Sequence, residues 1–231
     1  MTRMKENKMK FSESTINVLK NFASINAGMQ FKEGSVVRTI SKGQNVLGKA
    51  TVTETFEKDF VIYDLNRFLS LCSSLTDPEI VINSDANNLT VKSGTSKTTY
   101  GLADESMIVA PPVKELKIEN SEVNFKLTKD DMNQVLKMSG ILGLPNIAVT
   151  GNGFEISISA LDIKNTDSDN FSINVGRTSA NFRMIFVTEN LKMIPGTYDV
   201  AISSKGISHF KHVTDQIEYW IATEAGSKYE G

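Results

Sequence analysis

Few residues in this 231-residue chain carry side chains fit for covalent or metal chemistry. There is one cysteine, Cys72, and there are two histidines, His209 and His212. A thiolate nucleophile needs a base within hydrogen-bond reach. Nothing local to Cys72 supplies one: Leu71, Ser73 and Leu75 surround it, and it reads as a small core residue of a helix. The histidines fall near the end of the chain in a strand or turn, and no zinc spacing of cysteines and histidines occurs. Gly151-Asn152-Gly153 lacks the third glycine and following helix of a dinucleotide loop, and there is no Gly-Lys-Ser/Thr phosphate loop, so it reads as a hairpin turn. Asp167-Ser168-Asp169-Asn170 lacks the glycine and distal glutamate of a calcium loop and reads as a solvated acidic loop. No catalytic residue, metal or cofactor is expected.

The elements available to position any other kind of site are short alternating strands and a few helices, an α+β pattern. The first helix is predicted over residues 12–25, with Ser12 as its cap and Ile16, Leu19, Phe22 and Ala23 as its apolar stripe. Gly28 is expected to end it. Strands follow at 29–31, 36–40, 46–52 and 60–63. Asp64 caps a second helix that buries Leu65, Phe68, Leu69, Cys72 and Leu75 and closes at Asp77-Pro78. Three strands come next, at 79–83, 89–93 and 98–102, with Asn87-Asn88 and Ser93-Gly94 as hairpin signals.

The pattern then stops. Pro111 and Pro112 lack a backbone donor and cannot continue a ladder, so 109–122 reads as an extended connector. Beyond it the order repeats. Thr128 caps a helix with Asp130 and Asp131 in its first turn and Met132, Val135, Leu136 and Ser139 on its inward face. Strands follow at 147–150, 154–160, 171–175 and 183–187. A short helix at 188–193 ends at Pro195-Gly196, and strands follow at 198–203, 208–213 and 218–223. Each half thus reads helix, four strands, short helix, three strands, which predicts two similar domains. The expected boundaries are an N-terminal extension at 1–8, a domain at 9–108, the connector at 109–122 and a second domain at 123–231.

The bulk numbers agree with a soluble globular chain: 40% hydrophobic, 23% charged, formal charge −2 and pI about 5.8. No apolar run approaches the roughly 18 residues of a membrane helix, and the basic first ten residues lack the apolar core of a secretory signal. One cysteine makes no internal disulfide, which fits a reducing cytoplasm. The slightly acidic balance argues against a tight sequence-specific DNA binder, but it allows basic residues confined to one surface.

Met9-Lys10-Phe11-Ser12, followed by residues 19–28 (Leu-Lys-Asn-Phe-Ala-Ser-Ile-Asn-Ala-Gly), closely resembles the start of the DNA sliding clamps of T-even bacteriophages. So does the stretch 61–69 (Val-Ile-Tyr-Asp-Leu-Asn-Arg-Phe-Leu). Weaker matches run through 147–150, 190–193, 195–198 and 219–222, so the resemblance covers nearly the whole chain from Met9 onward. The resemblance implies the DNA-clamp fold, with two similar domains per chain and helices lining a ring whose outer wall is sheet. It implies a non-enzymatic homotrimer that encircles double-stranded DNA without reading sequence and confers processivity on the replicative DNA polymerase. It also implies an ATP-driven clamp loader complex, phage late-transcription factors as further partners, no membrane association, and the cytoplasm of an infected bacterial cell. The alternative is a β-rich duplicated-domain structural or interaction protein without DNA-encircling activity.

The polar helix faces fit the first reading. They carry Asn17, Lys20, Asn21 and Ser24 on the first helix, Arg67, Ser70 and Ser74 on the second, and Lys129, Asn133 and Lys137 on the third, with Lys192 on the last short helix. Lys20, Asn21, Arg67, Lys129, Lys137 and Lys192 are the expected DNA-facing residues. A few cations facing phosphates guide a duplex without reading bases, whereas many tight contacts would stop it sliding. Clamps of this family usually bind short hydrophobic partner peptides in a pocket between the two domains. Here the resemblance places that pocket at Val109, Pro111 and Val113 of the connector and Trp220 and Ala222 of the final strand, with Val46 as its floor. The alternation of Tyr219, Trp220 and Ile221 is expected to leave one side of that strand partly exposed.

Overall fold

The computed structural model describes residues 7–82 and 87–231. The chain divides into two compact units between Pro112 and Val113.

The first unit begins with strand β1 (Asn7–Met9) and helix α1 (Glu13–Ile25). Ser12 leaves the helix at φ −68°, ψ 160°, and its hydroxyl accepts from the Thr15 amide, satisfying one orphan donor of the first turn. Strands β2 (Met29–Phe31), β3 (Gly34–Ile40), β4 (Val46–Phe56) and β5 (Phe60–Ile62) follow, then helix α2 (Leu65–Ser73) and strands β6 (Glu79–Ile82), β7 (Asn88–Ser93) and β8 (Ser96–Gly101). The strand order is β5-β2-β3-β4 in one layer and β1-β6-β7-β8 in the other. Among the described residues the strands of these layers pair antiparallel. α1 packs on β3, β4 and α2, burying Thr15, Val18, Leu19, Phe22 and Ala23 while Ile16 stays half-buried. An aromatic chain runs through the core: Phe11 lies edge-on to Phe56 and Phe68, and Phe31 stacks on Phe60 with ring centroids 4.5 Å apart. Phe31, Phe56 and Phe68 are fully buried, and each contributes on the order of 1.5–3 kcal/mol through apolar area removed from water.

The second unit runs β9 (Val123–Leu127), α3 (Lys129–Leu142), β10 (Asn146–Asn152), β11 (Glu155–Leu161), β12 (Phe171–Arg177), β13 (Asn181–Val187), β14 (Tyr198–Ser203), β15 (Ile207–His212), β16 (Ile217–Ala222) and β17 (Lys228–Tyr229). Its strands are ordered β12-β11-β10-β13-β17 and β9-β14-β15-β16, and α3 packs on β11 and β12. α3 ends at Gly143, whose φ of +66° is a left-handed conformation that glycine adopts without a Cβ penalty. At the other end Thr128 Oγ1 accepts from the Asp131 amide at 3.2 Å. Thr128→Ala is expected to lower stability by about 1 kcal/mol, the usual cost of a lost N-cap. Urea denaturation of the variant, with an unchanged m-value, checks this.

The structure also departs from the sequence reading in its elements. Strand β1 takes in Asn7 and Lys8, pairing them with Ile82 and Val81, so the sheet starts before Met9; residues 1–6 of the expected extension lie outside the described residues. Strands β9 and β17 were not expected. The strand expected at 79–83 is present over Glu79–Ile82, and Asn83 lies outside the described residues. The helix expected at 188–193 is one 3-10 turn, Thr188–Asn190. The chain after it is irregular and held by two buried phenols: the Tyr198 hydroxyl donates to the Ile194 carbonyl and the Ile194 amide donates to the Tyr219 hydroxyl. Burial pushes both phenol pKa values above the ordinary tyrosine range, so both remain neutral.

Candidate nucleic-acid interface

α1 presents Asn17, Lys20 and Ser24 to solvent, with Asn21 half-buried beside them. Its N-terminal end is fixed by Glu54 of β4, whose carboxylate accepts from the Ser12 amide at 2.5 Å and from the Thr15 hydroxyl. Glu54 is raised by partial burial but more than compensated by hydrogen bonds from Thr15 and Ser12, so its carboxyl lies below the usual glutamate range. Glu54 was not singled out in the sequence; a carboxylate in the alternating run 46–56 was the available signal.

α2 presents Arg67, Ser70 and Ser74 to solvent. Asp64 caps this helix by accepting from the Arg67 amide at 3.0 Å, and Tyr100 donates to the Asp64 carbonyl at 3.0 Å, fixing the start of the helix to β8. α3 exposes Lys129, Asn133 and Lys137. Carboxylates on these helices sit in the first turns, at Glu13, Asp130 and Asp131, where they complement the helix dipole. Lys192 is exposed, but on the irregular chain after the 3-10 turn and not on a helix. Each helix thus exposes one or two cations on its polar face, Lys20 on α1, Arg67 on α2 and Lys129 and Lys137 on α3, an arrangement that guides an anion loosely without chelating it.

The expected partner-binding residues differ in accessibility. Val113 is 88% exposed and Val109 37%, whereas Val46 is 4% exposed and Trp220 6%. Pro111 and Ala222 are half-buried. Tyr219, Trp220 and Ile221 are all buried, so the expectation of a partly exposed side at these three residues is not met. Trp220 has a companion that sequence reading missed. His209 lies opposite it in the β15–β16 pair and stacks on it, with centroids 4.6 Å apart and planes within 9°. His209 Nε2 also lies 2.8 Å from Glu218. The Trp220 indole N–H is buried with no hydrogen-bond partner. The other residues able to do chemistry serve packing. Burial pushes the Cys72 thiol up to about 11, and His212 Nδ1 accepts from the Asp215 amide at 3.0 Å. No cluster of three metal-ligating side chains occurs among the described residues, and no helix there is long and apolar enough to cross a membrane.

Comparison with known proteins gives concordant matches over both units. Residues 10–110 match the family model described as DNA polymerase processivity factor, and residues 124–225 match that described as gp45 sliding clamp, C terminal. The chain is 34% identical to the sliding clamp of Vibrio phage KVP40, covering 94% of this chain and all of that one. It is 31% identical to the sliding clamp of Escherichia phage RB69 and 29% identical to that of Enterobacteria phage T4, each over 96% of this chain and the full length of the relative. Among solved structures, PCNA of A. fulgidus, determined with the C-terminal region of FEN-1, superposes with a TM-score of 0.67 at 14% identity, covering 96% of this chain and 98% of that one. The β subunit of DNA polymerase III from Pseudomonas aeruginosa gives a TM-score of 0.67 at 14% identity, covering 96% of this chain and 65% of that one. These structural likenesses establish the DNA-clamp fold.

Proposed function

The chain belongs to the phage sliding-clamp family of DNA polymerase processivity factors, and from that premise we propose that it works as a closed homotrimeric ring around double-stranded DNA. Its function is that of the family: to tether the replicative polymerase to the template. The observation that carries this is full-length similarity to phage sliding clamps at up to 34% identity. In this reading the duplex meets the polar faces of α1, α2 and α3, through Lys20, Asn21, Arg67, Lys129 and Lys137, with Lys192 on its loop. The residues proposed for the partner peptide are Val46, Val109, Pro111, Val113, Trp220 and Ala222. An ATP-driven loader opens and closes the ring, and phage late-transcription factors are further partners. The protein acts in the cytoplasm of the infected host.

Ring closure needs sheet edges that can pair. In the first unit the layer β1-β6-β7-β8 ends in β1, with three residues, and β8, with six; in the second, β12-β11-β10-β13-β17 ends in β12, with seven, and β17, with two. β8 and β12 are the edges long enough to hold a subunit, and neither contains proline. Pairing β8 of one subunit with β12 of the next would hide the edges that otherwise invite uncontrolled association. Light scattering at tens of micromolar is expected to give three times the 25.5 kDa chain mass; a strictly monomeric species excludes the ring. Polymerase product length on a primed circle, with and without this protein and its cognate loader, tests the function directly.

A further inference from the structure

The connector begins with a stretch that has little means of holding itself. Pro111 and Pro112 have no N–H, so at those positions the backbone offers only carbonyls. At those two positions a hydrogen bond that fixes the backbone must be donated from outside it, whereas Ile108 still donates its own amide to the Glu105 carbonyl at 3.3 Å. Two side chains of the first unit donate to the segment from outside. Asn26, which caps the end of α1 and is 6% exposed, donates through Nδ2 to the Val109 carbonyl at 3.3 Å and to the Ile40 carbonyl of β3 at 2.8 Å. Its Oδ1 accepts from the Gly28 amide at 3.0 Å, so both ends of the amide are used. Arg38 of β3 donates through Nη1 to the Pro112 carbonyl at 3.3 Å.

Just ahead of these two points, at Ile108, the segment is pressed against the backbone of Gly28. A Cβ on Gly28 would lie 2.6 Å from Ile108 Cγ2, closer than non-bonded carbon atoms approach, and 3.1 Å from Ile108 Cβ, a tight contact. Gly28 does not end α1, as the sequence reading expected; the helix is capped by Asn26 in extended conformation, and the missing Cβ at Gly28 leaves the space in which Ile108 seats. Beside this contact is a cleft of about 310 Å³ whose lining includes Asn26, Gly28, Tyr63, Met107, Ile108 and Val109.

We infer that Asn26, Gly28 and Arg38 form a three-point latch that fixes residues 108–112 in the conformation a partner peptide binds, and so set the affinity for that peptide. The inference rests on the reading that Val109 and Pro111 touch the partner. A binding segment held in place before the ligand arrives loses less conformational freedom on binding than one that must be ordered. The three residues are positioning residues: Asn26 and Arg38 hold backbone carbonyls and leave the side chains of Val109 and Pro111 to the ligand. Asn26 also ties the segment to the end of α1, the helix that carries Lys20.

The test uses the full-length protein and a synthetic peptide of the cognate polymerase's C-terminus. Asn26→Asp keeps the acceptor for Gly28 and removes both donations. Arg38→Met, at a half-buried surface position, removes the second handle without endangering the fold, and Arg38→Lys restores a donor. Gly28→Ala displaces Ile108. Amide hydrogen exchange over residues 105–113 reads the latch itself, and peptide titration reads its consequence. Asn26→Asp and Arg38→Met are each expected to speed exchange and to weaken peptide binding by about three- to tenfold, with Arg38→Lys recovering most of the loss and oligomer mass unchanged. Unchanged exchange in both variants overturns the latch. Faster exchange with unchanged affinity overturns its role in binding. A Val109→Asp control then separates the causes: if it too binds normally, the error lies in the placement of the partner site, and if it binds weakly, the error lies in the latch alone.

Discussion

A protein carrying Lys20→Glu, Arg67→Glu and Lys137→Glu together is expected to fold and assemble normally yet to lose at least about tenfold in product length per loading event on a primed circle. The three side chains are exposed, one on each helix, and exposed substitutions usually change stability by no more than about 0.5 kcal/mol each. Their effect on DNA is of a different order. A duplex carries one phosphate charge per roughly 1.7 Å of axis, and each lysine or arginine that neutralises one releases condensed counterion. Exchanging cation for anion removes that favourable release and adds repulsion. In a ring the exchange is repeated in every subunit. The deficit is therefore expected to deepen as salt is lowered, because screening of exposed charges weakens with it. A matched control separates local from global charge: Lys164→Glu, Lys205→Glu and Lys228→Glu make the same change in net charge at exposed positions outside the three helices. Equal loss in both triples would reduce the effect to net charge. Unchanged processivity in the first triple would remove these residues from the path of the duplex.

What the sequence made legible follows the strength of each local signal. The three α-helices were readable because capping residues stand directly before an apolar period: Ser12 before α1, Asp64 before α2 and Thr128 before α3, each with a side-chain oxygen accepting from a first-turn amide. The hairpin at Gly151-Asn152-Gly153 was readable because glycine there marks a turn; Gly153 adopts φ +83°. The strands that escaped had weaker patterns or competing ones. β1 and β17, of three and two residues, are too short to alternate and exist because β6 and β13 pair with them. β9 does alternate, with Val123 and Leu127 buried and Asn124 and Lys126 exposed, and was lost to the proline-rich run before it. The 188–193 segment shows tertiary override. Its composition permits a helix, but the partners for its backbone are the Tyr198 and Tyr219 hydroxyls, which come from other strands.

The candidate site divides in the same way. Residues on helix faces could be chosen from period alone, and all but Asn21 are exposed. The residues that hold those faces and the connector were invisible. Glu54, Asn26 and Arg38 act through partners between 39 and 83 positions away in the chain, and no local pattern records a contact of that range. Trp220 was found by its rarity, while its stacking partner His209 was considered only for catalysis.

Trp220→Ala is expected to weaken the polymerase's C-terminal peptide by at least tenfold. Buried aromatics at interface centres are frequent hot spots, and truncation there costs roughly 2 kcal/mol or more. Two features of this tryptophan favour such a role over simple packing. Its indole N–H is buried without a hydrogen-bond partner, a state that costs on the order of 1–3 kcal/mol and that a carbonyl of an extended peptide would relieve. One face of its ring is covered by a side chain, with His209 stacked at 4.6 Å and lying 2.8 Å from Glu218, and a side chain can swing aside more readily than backbone. Alanine alone is an ambiguous probe, because emptying a site that is 6% exposed also costs about 3–5 kcal/mol of stability. Trp220→Phe removes the N–H while keeping most of the packing. It is expected to bind the peptide more weakly than the native protein by about 1 kcal/mol, or roughly fivefold, at unchanged oligomer mass. His209→Ala, which uncovers the indole, is expected to bind no more weakly than native. Because Trp220 is the only tryptophan, its fluorescence reports the event without labelling. Saturable peptide binding that leaves the emission spectrum unmoved, together with native affinity in Trp220→Phe, would place the peptide elsewhere on the ring.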